Sequence, residues 1–296
     1  MTTTVQAGAQ APASGPAPIT EPGLYEMSNE EYHSHRYALS SSGARRLLAP
    51  SCPAIFRWEQ DNPQPPKKVW DIGNAAHKLV LGEGPDLQLV DYERWDTAAA
   101  KAEVKEARAV GAVPLKRAEY EQVHAMAEAI RRHPIASLLF DPARGTPERS
   151  LFWRDERTGV MCRVRLDWLP DARDGRLILA DYKTCRSAEP EALAKAMHEF
   201  GYHQQDDWYR RGARALGLAA ADAAFVFVCQ EKTAPYVVTV FEADVFARRI
   251  GAARNRRALD TFTECTASGR WPAYHDDIVP LPLPVWAEKR DTEEYL

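Results

Sequence analysis

Leu177-Ile178-Leu179-Ala180-Asp181-Tyr182-Lys183-Thr184 is the stretch on which the reading of this chain turns. An apolar run of strand type ends in a carboxylate, an aromatic ring and a lysine. Successive strand side chains alternate between faces, so Asp181 and Lys183, two positions apart, point into one site. An acid and a lysine on one strand face can equally form a solvated pair, and the stretch alone leaves both readings open.

Its surroundings shift the balance. Upstream, across a turn, Arg165-Leu166-Asp167-Trp168 sets a second acid in an apolar, strand-like run. Two hairpin-related carboxylates can converge on one divalent cation, and hard Mg²⁺ takes oxygen ligands plus several waters. The backbone carbonyl of Tyr182 faces the same ion in this reading. Gly73-Asn74-Ala75-Ala76-His77 reads as part of a helix, where a lone histidine is ordinarily structural. Gln205 and Tyr209 stand at i and i+4 on one face of another helix. Each signal is weak alone; their order and spacing together are strong.

Working outward, the pattern alternates between helix and strand. Ser40-Ser41-Ser42 reads as an N-cap for a short helix through Leu48, stopped by Pro50. Residues 71–81 carry apolar positions at 72, 75, 76, 79 and 80, one helical face, with Gly82 as the stop. Residues 95–132 predict two helices around Gly111 and Pro114. Residues 148–153, 160–168 and 176–184 predict strands separated by turns at 157–159 and 171–175. A helix over 189–216, strands at 223–228 and 236–241, and a final helix over 243–263 complete the pattern. Strands flanked by helices imply an α/β layered domain over residues 21–280. Residues 1–20 lack large apolar side chains and are expected to be disordered. Residues 281–296 read as a tail, extended and then charged.

Composition bounds the function. With 296 residues, 45% hydrophobic and 27% charged, the chain is ordinary for a globular protein with one sizeable core. No apolar run approaches the roughly 18 residues that cross a bilayer, and no secretory signal pattern opens the chain, so no membrane partner and a cytoplasmic location are expected. Five scattered cysteines without a C-x-x-C pair supply neither a zinc ribbon, an iron–sulfur cluster nor a disulfide framework. A net charge of −4 counts against a protein coated in positive charge, although a local basic groove is enough for nucleic acid.

The ordered set Gly73-x-x-x-His77, Glu148, Asp167, Asp181-x-Lys183 and Gln205-x-x-x-Tyr209 resembles the RecB-like branch of the PD-(D/E)XK nucleases. GVMCRVRLDWLP, ILADYKT and GYHQQDDWY are similar to the nuclease domain of RecE-type exonucleases (exonuclease VIII), and the likeness runs from about Gly23 to Tyr274. It implies a restriction-endonuclease-like core, a central mixed sheet flanked by helices. It implies Mg²⁺, with Mn²⁺ as a substitute, held by Asp167, Asp181 and the Tyr182 carbonyl, with His77 as a further ligand or a partner of one. Lys183 would position or deprotonate the attacking water. Glu148 would bind a second metal or orient the water, or else be a surface strand acid. Gln205 and Tyr209 would hold the DNA backbone or organise Lys183; Tyr209 could equally be core.

The resemblance further implies 5′-to-3′ digestion of duplex DNA ends, 3′ overhangs for recombination with a RecT-type single-strand annealing protein, and a phage or prophage setting. It also implies a homo-oligomeric ring, a tetramer; Arg163, Arg165, Arg186, Lys195, Arg210 and Arg211 are candidates for its inner wall, against solvated surface or helix-face charges, the reading that is favoured for any one of them. Ser40, Ser41, Ser42 and Arg45 form a candidate grip for the 5′-terminal phosphate, against a plain N-cap. The competing readings are an AddB-like enzyme, which the cysteine spacing excludes, another PD-(D/E)XK nuclease acting internally or on single strands, and a non-catalytic DNA-binding module on the same fold.

Overall fold

The computed structural model describes residues 17–63, 71–171, 176–220 and 223–296. Most of the expected disordered segment, and most of the turn at 171–175, lie outside them. Of residues 17–20, Ile19 packs against the buried cluster of Tyr32, Ala38, Phe152 and Met161, and Thr20 accepts a hydrogen bond from Arg154.

Nine strands are described: β1 (Gly23–Tyr25), β2 (Leu39–Ser40), β3 (Leu87–Leu89), β4 (Val113–Leu115), β5 (Gly145–Arg154), β6 (Met161–Pro170), β7 (Ile178–Cys185), β8 (Ala224–Glu231) and β9 (Val238–Glu242). The helices are α1 (Asn29–Ser34), α2 (Ser41–Arg46), α3 (Pro53–Asp61), α4 (Asp71–Leu81), α5 (Ala98–Ala109), α6 (Arg117–Arg132), α7 (Ala136–Leu139), α8 (Pro190–Phe200), α9 (Tyr202–Ala215), α10 (Val245–Ser268) and α11 (Val285–Tyr295). The main sheet runs β1-β5-β6-β7-β8-β9, with β2 alongside β6. It is mixed: β7 and β8 are parallel, as are β2 and β6, and the other neighbours are antiparallel.

The alternation along β7 explains why both faces are covered. Leu179 packs with Phe225, Phe227, Trp208 and Leu259, beneath α9 and α10. Ala180 and Tyr182 face the other way, with Val226, Val228, Ala76 and Met126, beneath α4 and α6. A central strand buried on both sides must be apolar nearly throughout, which is why a carboxylate and a lysine at its end stand out. This is the α/β architecture expected, a central mixed sheet between helical layers.

Several expectations are corrected. The single helix over 189–216 is two, because Gly201 adopts φ +68 and ends α8 in the left-handed conformation that glycine tolerates. A Cβ at Gly251 would lie 1.9 Å from the His203 carbonyl oxygen, so α10 is pressed against this break. Between α5 and α6 the chain forms β4, which pairs in parallel with β3 in a separate two-stranded sheet. The expected C-terminal tail contains α11, so the helix over 245–268 is not the last.

Candidate metal centre

Among the described residues, β6 and β7 share only the pair Trp168↔Ala180. Past that point β7 has no backbone partner on this side, and side chains satisfy it instead. The Tyr182 N–H donates to Asp167 Oδ2 at 2.8 Å, and His77 Nε2 from α4 donates to the Tyr182 carbonyl at 3.0 Å. Because a carbonyl only accepts, Nε2 carries the proton in this contact; releasing it would present a lone pair at the same place. Asp167 Oδ2 lies 3.5 Å from that nitrogen.

Glu148 arrives from β5. In the β5–β6 register Pro147 pairs with Trp168 and Arg149 with Leu166, so Glu148 sits opposite Asp167 but outside the ladder. Its φ of +56 is a left-handed conformation unusual for a residue with a side chain, and such strain persists only where the surroundings enforce it. Donor atoms of His77, Glu148 and Asp167 all lie within 4.8 Å of one another. Arg165 fixes Glu148 by a charge-assisted hydrogen bond from Nε, while its Nη1 donates to the Met27 carbonyl at 2.8 Å and Ser150 Oγ at 3.2 Å.

Asp181, 1% exposed, stands beside this cluster. Its Oδ1 accepts from Gln205 Nε2 at 2.5 Å. Its Oδ2 forms an ion pair with Lys183 Nζ at 2.6 Å. A buried carboxylate is costly unless cationic or polar groups meet it, as Lys183 and Gln205 do here. Burial pushes the Asp167 carboxyl up to about 7, and the charge of Asp181 adds to this. Burial would lower Lys183, but the charges of Asp181 and Asp167 outweigh it and hold the amine well above the ordinary lysine range. Crowded oxygen donors with mutual repulsion, an imidazole and a backbone carbonyl suit a hard divalent cation. In this arrangement Lys183 is an ammonium, a donor rather than a base.

The remaining sequence-predicted residues sort clearly. Gln205 organises Asp181 rather than Lys183. Tyr209 meets the Phe225 ring edge-on at 4.9 Å, and burial followed by the charges of both acids raises its hydroxyl pKa; it belongs to core and site alike. Ser40 Oγ accepts from the Gly43 N–H at 3.1 Å, a plain N-cap, and lies 3.1 Å from Ser42 Oγ. Arg45 is exposed and runs along Gly201.

Of the six candidates for a basic inner wall, four are engaged within the chain. Arg163 is buried with its guanidinium over the Tyr32 ring, Arg210 pairs with Asp206, and Arg211 pairs with Asp207. Arg165 is tied to Glu148, leaving Arg186 and Lys195 exposed.

One residue that sequence reasoning passed over is Gln230. It is fully buried on β8, accepts from the Tyr182 hydroxyl at 2.6 Å and donates to the Met126 carbonyl at 2.9 Å, which locks Tyr182 in place. Its signal in the sequence is a glutamine just after an apolar run.

A cavity of about 1080 Å³ adjoins the cluster. His77, Glu148 and Asp167 line it together with Gln205 and Tyr209, as do Ser40, Ser41, Ser42 and Arg45. A large ligand in this cavity would reach His77, Glu148 and Asp167, beside which Asp181 and Lys183 stand.

A family model described as a PDDEXK-like domain of unknown function (DUF3799) matches residues 40–279. Among solved structures, a protein from Eubacterium rectale named "putative exonuclease" is similar with a TM-score of 0.57 and 11% identity, over 89% of this chain and 98% of that one. At that identity the likeness is one of fold. No curated protein matches the sequence.

Proposed function

The chain belongs to the family of PDDEXK-like domains (DUF3799), within the PD-(D/E)XK nuclease superfamily, and from that premise we propose that it is a Mg²⁺-dependent exodeoxyribonuclease of RecE type. Nucleases of this superfamily generally depend on a divalent metal. The observation that carries the reading is the opening between β6 and β7, where Asp167, His77 and the Tyr182 carbonyl converge beside Asp181 and Lys183. Mg²⁺, or Mn²⁺ in its place, held by Asp167, Asp181, the Tyr182 carbonyl and His77 would polarise a phosphate and acidify a bound water.

The chain's own residues do the rest. The Lys183 ammonium donates to the attacking water or a phosphate oxygen and offsets the charge that develops there. Glu148, held by Arg165, orients the water. Gln205 keeps the Asp181 carboxylate turned towards the cation. Ser40, Ser42 and Arg45, on the same cavity, hold the terminal 5′-phosphate, and digestion proceeds 5′ to 3′ to leave 3′ overhangs for a single-strand annealing protein. The working form is a homo-oligomeric ring in the cytoplasm.

End-labelled linear duplex and a covalently closed circle of the same sequence test this directly. With Mg²⁺ the linear form is expected to shorten from its 5′ ends while the circle survives, and chelation stops digestion. Cutting of the circle would replace the exonuclease by an endonuclease. Failure to digest either substrate with Mg²⁺ or Mn²⁺ sinks the nuclease reading. An Arg45→Ala variant that keeps the wild-type preference for 5′-phosphorylated over 5′-hydroxyl ends removes the phosphate grip.

A further inference from the structure

Lys183 leaves β7 on a flexible four-carbon stem, and an amine of that kind must be held to act from one place. Asp181 pairs with the amine at 2.6 Å, but a metal ion drawing on the same carboxylate would weaken that anchor. A second support lies on α9. Lys183 Nζ sits 5.4 Å from the centroid of the Tyr202 ring, within the range in which a ring face attracts a cation.

Tyr202 is itself held firmly. It is 8% exposed, its ring stacks on Phe227 at 5.0 Å and 24°, and Phe227 stacks on Phe241 at 5.2 Å and 20°. The backbone aims it as well. Gly201 takes φ +68 just before it, and a Cβ there would lie 2.5 Å from Arg45 Cδ. The close approach of Gly251 to the His203 carbonyl fixes the other side of the same turn. The break between α8 and α9 thus delivers a ring to the amine. A ring face differs from a carboxylate in one useful respect: it attracts the ammonium without competing strongly for its N–H donors, which stay available to a phosphate oxygen and a water.

We propose that Tyr202 is a positioning residue that holds the Lys183 ammonium against its ring face, so that the amine stays in place when Asp181 turns to a metal ion. The kinetic consequence rests on the nuclease reading above; the ring–ammonium contact does not.

Tyr202→Phe keeps the ring and is expected to retain kcat within about twofold, whereas Tyr202→Leu loses about tenfold in kcat with KM unchanged. A fluorinated phenylalanine at 202 preserves the ring's shape but weakens its negative face. It is expected to reproduce the loss without altering the packing, which covers the case in which the Leu variant fails to fold. Independently of activity, the side-chain protons next to the Lys183 amine, assigned by Lys183→Arg, should be shifted upfield by the ring in wild type and Tyr202→Phe but not in Tyr202→Leu. Equal rates for wild type and the fluorinated variant overturn the proposal, as does a Phe variant as slow as the Leu variant. If the wild type digests no DNA with any divalent ion, the nuclease reading fails by itself, and the upfield shift alone then decides whether the contact exists.

Discussion

Asp167 carries two duties that pull against each other. Its Oδ2 is the acceptor that satisfies the Tyr182 N–H, yet its charge is buried next to Asp181 and its pKa is pushed up to about 7. The unfolded-state value is about 3.9, so the folded chain binds this proton more tightly. The resulting stabilisation is complete below about pH 4 and is lost as pH rises through about 7. Asp167→Asn keeps an acceptor and removes the charge. The substitution is therefore expected to raise the melting temperature of chelator-treated protein, with the gap over wild type widening between pH 4 and 8, while Mg²⁺-dependent digestion disappears. A lower melting temperature for the variant at pH 8 would contradict this account of Asp167. Asp181→Ala and Lys183→Ala act on the chemistry itself: each should cost at least about 100-fold in digestion rate and leave the far-UV circular dichroism unchanged. Undiminished digestion by either variant would remove the mechanism.

Between elements, a buried polar network ties the β5–β6 turn to the helical layer. Asp155, 4% exposed, accepts two hydrogen bonds from Arg256 at 2.8 and 2.9 Å and two from Thr158. Burial alone would raise its carboxyl pKa, but these partners outweigh it and hold it at about 2. Their contribution is present above the unfolded value of about 3.9 and is lost as pH falls towards 2. Asp155→Asn is expected to cost about 1–3 kcal/mol at pH 7, with the difference closing below pH 3 in urea unfolding experiments. An undiminished difference at pH 2 would contradict the assignment.

What was legible in the sequence follows the same division between local and distant causes. The β5–β7 strands were readable because alternation is local, and so were Asp167, Asp181 and Lys183 at the ends of apolar runs. The break at Gly201 was not, since helical periodicity continues across it and the pressure on it comes from Gly251. The two three-residue strands β3 and β4 were too short to show a period. Formal charge could not say that Arg163, Arg210 and Arg211 have partners inside the protein, nor that Gln205 reaches Asp181.

On the proposed function, a chain of net charge −4 would meet a polyanion at the cavity of about 1080 Å³ beside the metal-ligating cluster. In the proposed ring only the surface facing the DNA needs to be basic. Light scattering is expected to give the mass of four 33.2 kDa chains at micromolar concentration, and a 33.2 kDa particle alone would remove the ring. The gap between β6 and β7 has a last consequence. A central-strand amide normally exchanges with solvent deuterium only when its sheet opens, but the Tyr182 amide depends on the Asp167 carboxylate. Its exchange should therefore quicken in an Asp167→Ala variant while the Phe227 and Val228 amides on β8 stay protected. One amide in the middle of the fold would then report whether the site is assembled, before any substrate is added.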